Sequence, residues 1–115
     1  MLPTNKSVQH ADTDVFTAIA HPVRRQLLDM LSQKEQSVTE LSAPFAMSRP
    51  AISQHLRILL DVGLVSENRK GRERRYRLQA DRLLDVQHWL TTYQHFWQSR
   101  LESLGHYLKK EENQE

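Results

Sequence analysis

The sequence predicts a mostly α-helical domain that carries a small β-hairpin and ends in a long helix. Three patterns support this fold class. Apolar residues have helical spacing over residues 38–60, polar and apolar residues alternate over 75–78 after a glycine, and a second helical series covers 81–110. With 115 residues, 38% of them hydrophobic, the chain can bury one compact core. We therefore expect one globular domain at residues 12–80, followed by a C-terminal helix at 81–110.

The two ends of the chain are polar. Residues 1–11 lack the charged and then apolar layout of a signal peptide, and no apolar run approaches the roughly 20 residues that span a membrane. We expect a flexible arm at residues 1–11 and a flexible tail at 111–115. A cytoplasmic protein without membrane contact is the corresponding expectation.

Positive charge is concentrated in the middle of the chain. Residues 48–78 carry eight Lys and Arg against three Asp and Glu, although the net charge of the chain is only +2. Within this span, RKGRERRYRL at residues 69–78 holds six basic residues and one acidic residue. Such a local concentration indicates a surface that contacts a polyanion. A solvated charged face is the alternative, and the neighbouring elements have to decide between the two.

Two short helices joined by a tight turn are predicted directly before the basic segment. The first runs from Val38 to Phe45, and the second starts after Ser48, a good N-cap, tolerates Pro50 in its first turn and ends at Gly63. The predicted buried stripe of the second helix is Ile52, Leu56, Leu59 and Leu60. On its other side, arginine can bond guanine, glutamine can bond adenine, and serine suits a base or a phosphate. The candidate DNA contacts are Ser48, Arg49, Pro50, Ser53, Gln54 and Arg57.

The basic segment itself predicts an ordered hairpin. Gly71 offers a turn, and the residues after it alternate polar with apolar, as in a half-buried strand. Leu64, Tyr76 and Leu78 would hold the base of the hairpin to the core. The cations expected near its tip, as contacts to DNA phosphates, are Lys70, Arg72, Arg74 and Arg75.

Apolar residues recur every three or four positions along the predicted C-terminal helix. A single helix over residues 81–110 would be about 45 Å long at 1.5 Å per residue, which is more than the domain can cover. We therefore expect its broad aromatic stripe to pack against a second copy of the chain, helped by the first helix. The predicted dimer contacts are Val15, Phe16, Ile19, Leu83, Val86, Trp89, Leu90, Tyr93, Phe96, Trp97, Leu101 and Leu104.

The predicted elements follow the order of a winged helix-turn-helix, whose second helix enters the major groove of DNA while the hairpin, or wing, contacts flanking backbone. The segments DVFTAIAHPVRRQLLDML, VTELSAPFAMSRPAISQHLRILLDVGLV and RKGRERRYRL resemble the three signature blocks of the ArsR family of bacterial repressors. The resemblance implies a homodimeric repressor of a near-palindromic operator that an inducer releases. It also places Arg49, Pro50, Ser53 and Gln54 on the base-contacting face and residues 70–75 in the wing.

The chain departs from the arsenic-, cadmium- and lead-sensing members of that family because it contains no cysteine. Ser37 and Thr39 stand where a thiolate pair would be expected, and hydroxyls do not replace soft thiolates. A metal site of histidine and carboxylate ligands on the last helix is an alternative, with His88, His95, Glu102 and His106 as candidates. An organic inducer among the helix aromatics, or repression without any inducer, are the other options. No cofactor is expected.

Two further functional classes compete with DNA binding. An enzyme is not expected, because the sequence has no phosphate-binding loop, no dinucleotide-binding turn and no convincing pair of nucleophile and base. A winged-helix protein-interaction or dimerisation module is the stronger alternative. Such modules usually lose the basic face, whereas Arg49, Arg57 and the hairpin cations retain it here. We therefore favour a regulator that binds double-stranded DNA sequence-specifically.

Overall fold

A computed structural model describes residues 14–113 of the chain. These residues form two compact units that divide between Leu84 and Asp85. The elements of the first unit are α1 (Val15–Ala18), α2 (Pro22–Leu31), β1 (Gln36–Ser37), α3 (Val38–Ser42), α4 (Arg49–Asp61), β2 (Val65–Lys70), β3 (Glu73–Leu78) and a 3-10 turn (Ala80–Arg82). Helix α5 (Leu83–Thr91) crosses the division, and α6 (Gln94–Asn113) lies in the second unit. Among the helices just named, none combines the length and hydrophobicity needed to span a lipid bilayer.

Helix α4 is at the centre of the first unit, where it contacts α2, α3 and β2. The predicted stripe is confirmed for Ile52, Leu56 and Leu59, which are fully buried, while Leu60 is half-buried. Tyr76 is buried as well, as the alternation in its strand predicts. The remaining large residues of this core are Leu27, Leu28, Leu31, Leu41 and Leu64. Burial on one face only leaves the opposite face of α4 exposed.

The sheet has three antiparallel strands in the order β1–β3–β2. The pairing of Lys70 with Glu73 leaves only Gly71 and Arg72 in the hairpin loop. Gly71 has a φ of +64°, whereas no described residue other than glycine has a positive φ. This is the pattern of a type II′ turn, which suits the twist of an antiparallel hairpin. The predicted hairpin is confirmed, and the two-residue strand β1 is an addition that the sequence did not predict.

The first of the two short helices is shorter than predicted. Helix α3 ends at Ser42, three residues before the predicted end at Phe45. A tight turn follows, in which the amide of Phe45 donates to the carbonyl of Ser42 at 3.1 Å. Pro44 has no amide hydrogen to continue the helical ladder, which accounts for the early end.

The C-terminal segment contains two helices, so the prediction of a single helix over residues 81–110 is wrong. Helices α5 and α6 are separated by Thr92 and Tyr93, whose amides donate to carbonyls three residues earlier at 3.1 and 3.0 Å. Thr91 and Thr92 are adjacent β-branched residues, which lowers helix propensity at this point. At the other end α6 continues to Asn113, so three residues of the predicted tail are helical. The predicted arm at 1–11 and residues 114–115 lie outside the described residues.

Candidate nucleic-acid interface

The start of α4 is built as the sequence predicts. Ser48 is its N-cap, with extended backbone angles, and its Oγ accepts a hydrogen bond from the amide of Ala51 at 3.3 Å. Pro50 lies in the first turn, where its missing amide hydrogen costs no helical bond. These features fix where the helix begins and therefore which of its residues face away from the core.

The exposed side of α4 carries the polar residues that the sequence singles out. Arg49, Gln54 and Arg57 are exposed, and Ser53 is half-buried; we call these four residues the polar face of α4. Nε of Arg57 lies 3.2 Å from Oδ1 of Asp61, but the two side chains are 73% and 47% exposed. An ion pair so open to water contributes little, so Arg57 can exchange it for another anion.

Arg49 is held by the preceding helix. Its Nη2 donates to Oγ1 of Thr39 in α3 at 2.8 Å. The hydroxyl carries no charge, so the guanidinium remains electrostatically available while its direction is fixed. The hydroxyl of Thr39 thus orients a cation at the start of α4.

A cleft of about 230 Å³ lies between the starts of α3 and α4 and the hairpin. Four arginines and one glutamate line it, and although Arg74 also pairs with Glu67 at 3.0 Å, an excess of positive charge remains around a volume that admits a phosphate group. Its lining residues are Ser37, Val38, Thr39, Arg49, Ser53, Arg69, Arg72, Glu73 and Arg74. We call it the arginine cleft. It brings together the start of α4 and the hairpin, two regions that the sequence nominates separately.

The strand register decides which hairpin cations belong to the arginine cleft. Arg69 and Arg74 are direct partners across β2 and β3, so their side chains lie on the same face of the hairpin. Arg72 reaches the cleft from the loop. Arg69 was not among the predicted contacts. Its place beside Arg74 follows from the two-residue turn at Gly71, a signal that the sequence contains.

On the other face of the hairpin, cations surround one carboxylate, Glu35. Nζ of Lys70, Nε of Arg75 and Nη2 of Arg77 lie 3.9, 3.0 and 3.5 Å from its oxygens. Arg75 also donates to the backbone carbonyl of Glu35 at 3.3 Å. We call this group the Glu35 cluster. Part of the positive charge of the hairpin is therefore neutralised within the chain.

Arg75, a predicted phosphate contact, is held by several acidic residues within the chain. Its Nη1 donates to Glu73 at 2.7 Å and its Nη2 lies 3.6 Å from Glu40, in addition to the bonds with Glu35. Hydrogen bonds to Glu73 and Glu35 raise the pKa of Arg75 above its usual value. The hydrogen bond from Arg75 is also the main reason why the pKa of Glu35 is lowered. Arg75 thus joins the hairpin to the segment before α3. Lys70, whose side chain is 65% exposed, is only loosely paired at 3.9 Å.

The residues predicted as dimer contacts fall into two groups. Val15 is 6% exposed and belongs to the core of the first unit, so its side chain offers little surface to a second copy of the chain. Phe16 is exposed, whereas Ile19 and Leu83 are half-buried. In the C-terminal helices, the exposed residues are Trp89, Leu90, Tyr93, Phe96, Leu101 and Leu104, and the half-buried ones are Val86 and Trp97.

The apolar surface of α6 continues towards its C-terminal end. Tyr107 and Leu108 are 61% and 56% exposed; Leu108 continues the predicted apolar series, and Tyr107 was not part of it. So much apolar surface on one helix is costly to leave in water.

The four candidate metal ligands do not assemble. Across residues 14–113, no three His, Cys, Asp or Glu side chains lie close enough together to hold a metal ion. The His95 ring contacts the Phe96 ring at a centroid distance of 4.0 Å with the two planes tilted by 38°, and Glu102 accepts a hydrogen bond from Gln98 at 3.2 Å. A cavity of about 480 Å³ in the second unit is lined by Thr91, Gln94, His95, Gln98, Ser99 and Glu102. None of these residues is one of the aromatics considered for an organic inducer.

Residues 21–67 match the family described as "Bacterial regulatory protein, arsR family". The transcriptional repressor SdpR of Bacillus subtilis is 35% identical to this chain over 80 residues, which cover 70% of this chain and 89% of SdpR.

Solved structures give a similar result over more of the chain. An ArsR-like transcriptional regulator from Rhodococcus sp. RHA1 has a TM-score of 0.66 and 29% identity, covering 93% of this chain and 97% of that one. A protein from Mycobacterium bovis, described as a homodimeric winged helix-turn-helix DNA-binding domain and a possible ArsR-family regulator, has a TM-score of 0.59 and 25% identity, covering 85% and 93%. The winged helix-turn-helix arrangement of this chain therefore recurs in known transcriptional regulators.

Proposed function

Because the chain belongs to the ArsR family of bacterial regulatory proteins, we propose that it is a homodimeric transcriptional repressor that binds a near-palindromic operator in double-stranded DNA. Helix α4 enters the major groove, and the β2–β3 hairpin contacts the adjacent sugar–phosphate backbone. The function requires no catalytic step and no cofactor, and its site of action is the cytoplasm, where the operator lies.

The arginine cleft is the observation that carries the proposal. Four arginines line one small volume directly beside the polar face of α4. A DNA phosphate is a ligand of matching charge and size, and arginine binds phosphate oxygens in a bidentate manner. A protein-interaction module has no need for such a concentration of arginines, of which, within residues 14–113, only Arg74 has a carboxylate partner across the hairpin, Glu67 at 3.0 Å.

The position of each polar residue indicates which part of the DNA it contacts. Arg49, Gln54 and Arg57 on the exposed side of α4 contact base edges, since arginine bonds guanine and glutamine bonds adenine in the major groove. Arg69, Arg72 and Arg74 contact phosphates, together with Lys70 at the rim. The hydroxyls of Ser48 and Ser53 are further hydrogen-bonding groups for DNA at the start of the helix. Pro50 is part of the helix surface that faces the DNA.

A second copy of the chain covers the apolar surface of α5 and α6. The exposure of Trp89, Phe96, Leu101 and Leu104 supports this, as does the description of the Mycobacterium bovis protein as a homodimer. A two-fold dimer places two α4 helices about 34 Å apart, which matches successive major grooves on one side of the duplex.

DNA binding is tested by fluorescence anisotropy with a labelled duplex from the region upstream of the gene and with a scrambled duplex, each at several salt concentrations. We expect preference for the upstream duplex and a log–log salt slope of roughly −5 to −9, from several phosphate contacts per subunit. Arg49→Ala should reduce the preference between duplexes. Equal, weak binding to both duplexes would contradict a sequence-specific repressor.

Dimerisation is tested by sedimentation equilibrium of the full chain. Leu101→Glu places a charge in the apolar surface and should shift the protein to a monomer, whereas Ser99→Glu, on the same helix, should leave the dimer intact. A monomeric wild-type protein at micromolar concentration would contradict the proposed assembly.

A further inference from the structure

One cationic side chain lies inside the first unit, away from the arginine cleft. Arg24 in α2 is 9% exposed. Its Nε donates to the carbonyl of Ala18 at 2.7 Å, and its Nη2 donates to the carbonyl of Thr17 at 3.3 Å. Both acceptors belong to α1. Burying a guanidinium is costly unless its donors are satisfied, so these bonds hold α1 against α2.

The third contact of Arg24 reaches α4. Its Nη1 lies 3.0 Å from Nδ1 of His55. A guanidinium has only donors, so Nδ1 must accept, which requires His55 to be neutral with its proton on Nε2. Arg24 therefore links α1 to the helix that carries the polar face, and it does so through a group that can titrate.

His21 completes the surroundings of His55. It is the N-cap of α2, where its Nδ1 accepts from the amide of Val23 at 3.1 Å, and its ring centroid lies 4.5 Å from that of His55. A protonated His55 would thus face the Arg24 cation and a second imidazole. Protonation also removes the lone pair that accepts from Arg24.

We propose that Arg24 is a positioning residue for DNA binding: it fixes the rotation of α4 through His55, and it does so only while His55 is neutral. This inference rests on the proposed function, because the orientation of α4 matters only if its polar face contacts bases. His55 directly follows Gln54 in α4. A rotation of α4 about its axis that moves His55 therefore displaces the base-contacting residues as well. The consequence is a DNA affinity that decreases on acidification.

The pKa of His55 is lowered, first by burial and then by His21 and Arg24. The neutral form therefore stabilises the fold fully above the ordinary histidine value of about 6.5, and this stabilisation is lost as the pH falls from there through the lower folded value. Net charge alone predicts a DNA affinity that increases on acidification. The chain has six histidines, and protonating the exposed ones adds positive charge, which strengthens binding to phosphates.

The test compares wild type with His55→Asn from about pH 8 to about pH 5 at fixed ionic strength. An asparagine amide oxygen can accept from Arg24 near the position of Nδ1 but cannot titrate in this range. His106→Asn, at an exposed position on α6, is the matched control. The readouts are anisotropy with the upstream duplex and the His55 pKa from imidazole NMR of the free protein.

At one pH unit below the measured His55 pKa, about one molecule in ten retains the competent form, so wild-type affinity should fall about tenfold. His106→Asn should follow wild type, and His55→Asn should show no such fall. A wild-type affinity that rises on acidification, or an equal fall in His55→Asn, would overturn the inference.

Failure of the proposed function is recognised separately. If wild type shows no preference for the upstream duplex at any pH, the repressor proposal fails, and the positioning role is then judged from amide hydrogen exchange of α4, corrected for intrinsic rates. Loss of protection on acidification in wild type but not in His55→Asn supports the positioning role. Equal loss in both overturns it.

Discussion

Replacing one arginine of the arginine cleft and one of the Glu35 cluster tests which side of the hairpin binds DNA. Arg72 lines the arginine cleft, whereas Arg77 lies 3.5 Å from Glu35 on the other face. Arg72→Gln and Arg77→Gln remove the same charge from the same hairpin. We expect the first to weaken binding to every duplex and the second to have little effect.

The magnitude follows from counterion release. Each phosphate contact contributes about 0.9 to the log–log salt slope, so a dimer that loses two contacts should show a slope reduced by about 1.8. Between about 50 and about 200 mM salt, the affinity of wild type should then fall about twelvefold more than that of Arg72→Gln. Fluorescence anisotropy titrations at four or five salt concentrations resolve a difference of this size.

Equal reductions of the slope in the two variants would refute the assignment, because net charge alone would then explain the binding. A reduction in Arg77→Gln only would mean that the Glu35 cluster, and not the arginine cleft, faces DNA. An intact far-UV circular dichroism spectrum of both variants controls for folding.

Three stability predictions accompany the binding prediction. Leu56→Ala opens a cavity beneath α4, where Leu56 is fully buried, and should lower the free energy of unfolding by about 3 kcal/mol in urea titrations; a loss below about 1 kcal/mol would contradict tight packing at this site. Gly71→Ala places a side chain at a φ of +64° and should cost about 1 kcal/mol, whereas Gly105→Ala, within a helix and without neighbours within 4 Å, should stabilise by up to about 1 kcal/mol. Arg75 lowers the pKa of Glu35 in the folded protein. The ionised carboxylate therefore stabilises the fold fully above the pKa that Glu35 has in the unfolded chain, and this stabilisation is lost as the pH falls through the pKa in the folded protein. The urea midpoint of wild type should therefore drop more on acidification than that of Glu35→Gln, and parallel curves would contradict the ion pairs.

Local patterns in the sequence were sufficient to predict α4 and the hairpin. Ser48 and Pro50 are positional signals within one turn of the helix start, and the alternation that ends at Leu78 lies within one strand. The positions of these elements depend on neighbouring residues in the chain. The sequence therefore specifies them without knowledge of the tertiary fold.

Two features that the sequence did not predict depend on contacts between distant segments. Glu35 precedes Arg75 by 40 residues, and nothing in the basic segment indicates that a remote carboxylate neutralises one of its cations. Strand β1 has only two residues, too few for any alternation. Its existence depends on β3, a partner that composition and periodicity do not reveal.

The N-cap of α3 has a consequence for how the protein folds. Ser37 caps α3 in a reciprocal arrangement with Glu40, whose amide and carboxylate bond to it at 3.2 and 2.9 Å, and the same Ser37 pairs with Arg75 of β3. A five-residue helix is too short to persist alone in water. Because Ser37 also pairs with β3, we expect α3 to become stable only when a segment almost forty residues later in the chain has arrived, a long-range closure that is slow to form. The helix-turn-helix and the hairpin should accordingly appear in the same kinetic phase of refolding and open together in native-state hydrogen exchange.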